Sequence, residues 1–147
     1  MKKFLKDRNI SGKHLSFKKF CHSVNEVAEA FNANKKDFVK NICLIDSEGY
    51  LIIAIVKGED RADLSKIKKT LNIEKLRIAT TKEILEKTSY PCGGVPSFGY
   101  DAIFLIDLKV MEKEYVYSGG GSENSLVMMS PSELLKTNNG LIVDIRN

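Results

Sequence analysis

The clearest apolar pattern along the chain is the run Tyr50–Val56, "YLIIAIV", with a second run before it, "DFVKNICLID", and the polar break "SEG" between them. Two such runs around a short polar turn predict a β-hairpin. The second is apolar almost without interruption, so burial on both faces is expected. Upstream, "SVNE" at residues 23–26 reads as a capping box, with Ser23 as the cap and Glu26 reaching back. Val24, Val27, Ala28 and Phe31 then recur at helical spacing, and "NAN" ends the helix.

Downstream, "RADLSKIKKTLN" places Leu64, Ile67 and Leu71 on one helical stripe with lysines opposite. "KLRIA" reads as a short strand. "TTKEILEKTS" reads as a helix opened by a Thr80/Glu83 capping box. "AIFLIDLKV", "EYVYSGGG" and "LVMMS" are expected strands. "SPSELLKTN" is a helix with Pro131 in its first turn, and "GLIVDI" is a last strand. Strands in pairs with helices interspersed predict an α+β fold with a mixed sheet rather than a doubly wound parallel one. The 147 residues are expected to form a single domain spanning 1–147. No repeat or linker divides them.

No apolar run reaches the length of a membrane span, and the basic start "MKKFLKDRNI" lacks the apolar core of a signal peptide. A cytoplasmic protein with no membrane partner is expected. Cys21, Cys43 and Cys92 are widely spaced, and His14 and His22 do not complete a ligand set, so free thiols and no metal are expected. The net charge of +4 is unevenly spread. Residues 1–87 hold 19 Lys+Arg against 12 Asp+Glu, and residues 88–147 hold 4 against 7. That asymmetry fits an anionic partner such as nucleic acid, or a solvated lysine-rich face.

The segment "PCGGVPSFGY", residues 91–100, carries the candidate chemistry. Gly94 and Gly99 have the glycine spacing of a phosphate-binding loop, but Tyr100 and Asp101 stand where lysine and a hydroxyl residue are needed. The glycines lack dinucleotide-binding spacing, and "VPSFG" lacks the first glycine of a nucleophile elbow. Two readings stay open: a wide turn between helix and strand, or a loop held by proline whose glycines bring main-chain dipoles close to a small ligand.

"GGVPSFGY" resembles the glycine–proline signature of the YbaK/ProX family, free-standing relatives of the prolyl-tRNA synthetase editing domain. The resemblance runs in order through "VNEVAEAFNANKKDFVKNICL", "LIIAIVKGEDRADLSKIKK", "LRIATTKEILEKT", the glycine loop, "YSGGG" and the terminal "VDI", about residues 20–146. It implies a central mixed, mostly antiparallel sheet surrounded by helices. It also implies a trans-editing aminoacyl-tRNA deacylase, a carboxylic ester hydrolase without metal or organic cofactor. The implied partners are the acceptor end of a mischarged tRNA and an aminoacyl-tRNA synthetase. Lys40, Gly93 and Gly94 correspond to the family's catalytic positions. Val95, Pro96, Ser97 and Phe98, with Gly119, Gly120 and Gly121, fall at its substrate-binding positions. The family needs no side-chain nucleophile, and the substrate's ribose hydroxyl is thought to assist. Many relatives carry proline where this chain has Ser97, with Pro96 one residue earlier, so reshaped pocket carbonyls are expected.

On this reading Lys40 pairs with phosphate or the reacting end, and the glycine N–H groups supply the oxyanion site. The lysines of residues 57–87 would suit the acceptor stem. Asp144 is expected to be structural. Two other readings compete. One is a non-catalytic RNA- or synthetase-binding module that keeps the fold; the other is a thiol hydrolase built on Cys92, for which neither histidine offers a sequence-linked base.

Overall fold

The strand Leu51–Lys57 has every residue but the last buried, as its unbroken apolar run predicts. It lies in a computed structural model that describes residues 1–16 and 34–147. The helix expected from Ser23, with Cys21 and His22 before it, lies outside the described residues. In chain order the strands are β1 (Gly12–Ser16), β2 (Val39–Asp46), β3 (Leu51–Lys57), β4 (Leu76–Ile78), β5 (Ile103–Asp107), β6 (Val116–Gly119), β7 (Ser125–Met129) and β8 (Leu141–Val143). The helices are α1 (Lys2–Asp7), α2 (Leu64–Leu71), α3 (Thr81–Thr88) and α4 (Pro131–Asn138). The fold is α+β, with mixed, mostly antiparallel sheets.

The strands divide between two sheets, one of five strands in the order β4-β2-β3-β5-β8 and one of three in the order β1-β7-β6. The expected hairpin is β2–β3, paired from Val39 opposite Lys57 to Ile45 opposite Leu51. Its turn is closed by the Asp46 carboxylate, which accepts from the N–H groups of Glu48 and Tyr50 at 2.9 Å each. β3 then pairs in parallel with β5, and β5 in parallel with β8.

Strand alternation sends β3 into two cores. Ile52, Ala54 and Val56 pack with Leu44, Leu105, Ile145 and the α2 residue Ile67. Leu51, Ile53 and Ile55 pack with Val95, Phe98, Val116 and Val127, joining the larger sheet to the smaller one and to the glycine loop. The sheets also meet at Phe38 and Tyr117, whose backbones bridge and whose rings stack at 4.9 Å. That junction stands two residues from Lys40.

The helix signals hold where they can be seen. Thr80 and Glu83 form both halves of the capping box at α3. Ser130 caps α4, with Pro131 in its first turn. Asp63, whose carboxylate accepts from the N–H groups of Ser65 and Lys66, caps α2. α1 and β1 have no matching sequence signal: α1 has six residues with one buried side chain, Leu5, so tertiary contacts rather than periodicity hold it.

Thr80→Ala removes the acceptor for the Glu83 N–H and is expected to cost ~1 kcal/mol of stability, read as a lower urea midpoint at unchanged slope.

Candidate functional site

β2 pairs with β4 only at Leu44–Asp46, so between the Phe38–Tyr117 bridge and Leu44 no strand among the described residues pairs with its side away from β3. A cleft of about 500 Å³ opens along that free edge. Its walls include Lys40, Cys43, Ile84, Gly93, Val95 and Gly119. The volume suits a small-molecule site. The main-chain groups of alternate β2 residues point the same way. The Cys43 carbonyl accepts from the Ala79 N–H, away from β3, so the main-chain groups of Asn41 also face away from β3, toward the cleft.

The far wall exists because two glycine bends touch. A β-carbon on Gly119 would overlap the Val95 carbonyl, and one on Gly94 would stand 2.6 Å from the Ser122 carbonyl carbon. The bends are also bonded directly, Gly121 N–H to the Gly94 carbonyl at 2.8 Å. Only residues without a side chain allow that approach.

Four successive carbonyls of the first bend each have a donor from a different place. Gly121 N–H serves Gly94, and the Asn41 amide serves Val95 at 2.8 Å. The Tyr100 hydroxyl serves Pro96 at 2.6 Å, and the Asn138 amide serves Ser97 at 3.0 Å. Burial pushes the Tyr100 phenol well above its usual pKa, so it remains a donor.

Ser97, the departure from the family pattern, is fully buried. Its hydroxyl donates to Asn41 Oδ1 at 2.7 Å, which leaves Ser118 Oγ to donate to Ser97 Oγ at 2.7 Å. Asn41 Nδ2 closes the ring by donating to Ser118 Oγ at 3.4 Å. Every hydroxyl in the ring thus donates once and accepts once, so neither serine hydroxyl is left without a partner. Ser97 therefore fastens the bend to β2 and β6 instead of facing the cleft.

Lys40, Gly93, Val95 and Gly119 line the one cleft. Gly94, Pro96, Ser97, Phe98, Gly120 and Gly121 form the bends behind it and do not line it. Phe98 is fully buried and stacks on Phe4 at 5.8 Å. The N–H groups of Gly94, Gly120 and Gly121 donate to Pro91, Ser125 and Gly94 respectively. The Gly93 N–H makes none of these loop bonds. Lys40 takes part in none of the ion pairs among the described residues.

Sequence reasoning missed Asn41, Ser118 and Asn138. Asn41 follows Lys40 directly, and a polar residue inside an otherwise apolar strand was the available signal. The thiols are unequal: Cys43 is buried, and burial, with a smaller contribution from Cys92, raises its pKa to about 11, so it stays neutral near pH 7. Cys92 is exposed. His14 is held at the second bend, Nε2 to the Gly120 carbonyl at 3.0 Å, and does not line the cleft. Asp144 pairs with Lys66 at 3.2 Å and with Arg146 at 3.5 Å, beside α2 and away from the cleft. No group of three or more His, Cys, Asp or Glu side chains among the described residues is placed to hold a metal ion.

An α+β scaffold presenting a cleft walled by a free strand edge and two touching glycine bends defines the class. Residues 19–137 match the aminoacyl-tRNA editing domain family, and the chain belongs to that family. The crystal structure of a candidate trans-editing enzyme for prolyl-tRNA synthetase superimposes with a TM-score of 0.87 at 27% identity, covering 97% of this chain and 92% of that one. A candidate Cys-tRNA(Pro)/Cys-tRNA(Cys) deacylase, EbsC of Enterococcus faecalis, is 22% identical over 84% of this chain and 76% of its own length. The proline–tRNA ligase of Pseudothermotoga lettingae is 28% identical over 67% of this chain, but the match spans only 17% of the ligase.

Gly119→Ala is expected to destabilise the protein by ~3 kcal/mol, because the Val95 carbonyl must move. Asn41→Ala strands the Val95 carbonyl and is expected to cost ~2 kcal/mol. Chemical denaturation of both variants beside the parent checks the pair.

Proposed function

We propose that the protein is a trans-editing deacylase that hydrolyses the ester between a wrongly attached amino acid and the terminal ribose of a tRNA. The observation that carries this reading is the meeting of Lys40 with both glycine bends in one cleft. Water adds to the ester carbonyl, the carbonyl oxygen takes the developing charge, and collapse releases the amino acid and the ribose hydroxyl. Lys40 binds the anionic 3′ end or the oxyanion. The Gly93 N–H completes the oxyanion site, since Gly93 lines the cleft while the Gly94 N–H is already engaged by the Pro91 carbonyl.

The cleft also bears on the substrate. Val39, Ile42, Ile78, Ala79 and Leu126 add apolar surface, and no carboxylate among the described residues lines it. Such walls favour a small uncharged amino acid, because a basic side chain would lose hydration without gaining a partner and an acidic one would compete with the substrate's reacting end for Lys40. The relatives tied to prolyl-tRNA synthetase support a tRNA substrate and a synthetase partner.

The test is a panel of mischarged tRNAs incubated with sub-stoichiometric protein. Multiple turnovers are expected for at least one of them. Lys40→Ala is expected to lower kcat/KM by ~10²-fold, the worth of a hydrogen bond to a charged group. Cys92→Ala is expected to retain activity. Binding of tRNA with no release of any amino acid would instead favour the non-catalytic module, and loss of activity in Cys92→Ala with Lys40→Ala intact would favour the thiol route.

A further inference from the structure

A second concentration of positive charge, as dense as the one within residues 57–87, lies outside the segment that the sequence singles out for RNA. Residues 1–16 hold five Lys and Arg, namely Lys2, Lys3, Lys6, Arg8 and Lys13, against the single acid Asp7, a net of +4. All five are exposed. None of them enters an ion pair among the described residues. The lysines of 57–87 are more heavily committed. Lys57 pairs with Glu59 at 2.6 Å and Lys66 with Asp144 at 3.2 Å. Lys87 donates to the Gly49 carbonyl at 2.8 Å, and Arg77 pairs with Glu83 at 2.7 Å.

Three of the five charges in residues 1–16 line a cavity. A hollow of about 550 Å³ between α1 and β1 is lined by Lys2, Lys6, Lys13, His14 and Asn9 over a floor of Leu5, Ile10 and Gly12. No carboxylate among the described residues lines it. The nearby Glu133 carboxylate already accepts from the Ser11 N–H at 3.0 Å.

This basic segment is fastened to the candidate site at three points. The Phe4 ring lies against Gly99 and stacks on Phe98 at 5.8 Å. Gly121 packs against the Met1 side chain. His14 Nε2 donates to the Gly120 carbonyl. The charges are thus held in a fixed relation to both glycine bends.

We propose that the hollow between α1 and β1 is a docking site for the phosphate backbone of RNA, with Lys2, Lys6 and Lys13 each neutralising a phosphate. The proposal rests on the deacylase reading for the identity of the RNA, a tRNA whose acceptor strand runs from the hollow toward the cleft. Phosphate contacts of this kind supply affinity and orientation without reading sequence. A membrane surface is the weaker fit, because none of the large exposed apolar side chains belongs to residues 1–16.

The test compares the parent chain with a Lys2→Gln/Lys6→Gln/Lys13→Gln variant and with a Lys68→Gln/Lys69→Gln/Lys75→Gln control of equal charge change. Far-ultraviolet circular dichroism and thermal melts first establish that all three fold alike. Binding of uncharged tRNA is then followed across salt concentrations, and deacylation is measured on a full mischarged tRNA and on its aminoacylated terminal trinucleotide. The first variant is expected to bind tRNA at least ~10-fold more weakly, with a log–log salt slope shallower by ~2 to 3. Its KM is expected to rise for the full tRNA while kcat, and activity on the trinucleotide, stay unchanged. The control is expected to match the parent.

Equal loss in both variants, no change in the salt slope, or tRNA binding absent from the parent would each overturn the proposal. So would binding of phosphatidylglycerol vesicles in place of RNA. If the parent binds tRNA through these lysines but releases no amino acid, the docking site stands and the deacylase reading falls. If the parent deacylates and the first variant does so with unaltered KM, the reverse holds.

Discussion

The candidate site depends on the bonding of four adjacent carbonyls, Gly94 to Ser97, by donors from four separate positions: the second glycine bend, β2, Tyr100 and the end of α4. A surface loop normally leaves such groups to water. Here each takes a protein donor, so the bend cannot shift without breaking several bonds at once. A site that works through main-chain dipoles needs this rigidity, because a dipole stabilises developing charge only when it is already aimed. Hydrogen bonding within the bends also narrows the chemistry, since the N–H groups of Gly94, Gly120 and Gly121 are engaged there, while Gly93 and Lys40 both line the cleft.

The Ser97–Asn41–Ser118 ring shows how a departure from the family pattern can be absorbed. Proline in place of serine would stiffen the bend through its own ring. Serine lacks that constraint but adds a hydroxyl, and the hydroxyl closes a ring of hydrogen bonds with β2 and β6. The bend is thus held by tertiary bonds where the residue itself no longer supplies stiffness. Such a ring is costly to open, because each partner left behind is a buried polar group without water.

Much of the fold was legible because its signals are local. The hairpin follows from two apolar runs about a turn, and two helix starts follow from the Thr80/Glu83 capping box and from Pro131 in a first turn. The two-faced burial of β3 follows from its lack of alternation. Of the ten site residues that the family resemblance implied, Lys40, Gly93, Val95 and Gly119 line the cleft, and the other six stand behind it. What stayed hidden is non-local. Asn41, Ser118 and Asn138 look like ordinary polar residues until the fold sets them against the loop. The split into two sheets depends on β1 pairing with β7 across more than a hundred residues, which no short-range pattern encodes. The segment of α1 and β1 reads as a basic tail by composition; the stacking of Phe4 on Phe98 makes it part of the structure.

That stacking changes what the basic residues mean. A charged tail attracts a polyanion in any orientation, whereas charges on an element locked to the glycine bends impose one orientation relative to the cleft. For the proposed deacylase acting in trans, orientation would matter as much as affinity, because the acylated ribose would have to arrive with its carbonyl at the loop dipoles. On that proposal main-chain dipoles read the reacting end but touch little else of a large RNA, and backbone-directed lysines hold the remainder without demanding a sequence. The two proposed devices are complementary, and Phe4, Gly121 and His14 tie the segments that carry them together.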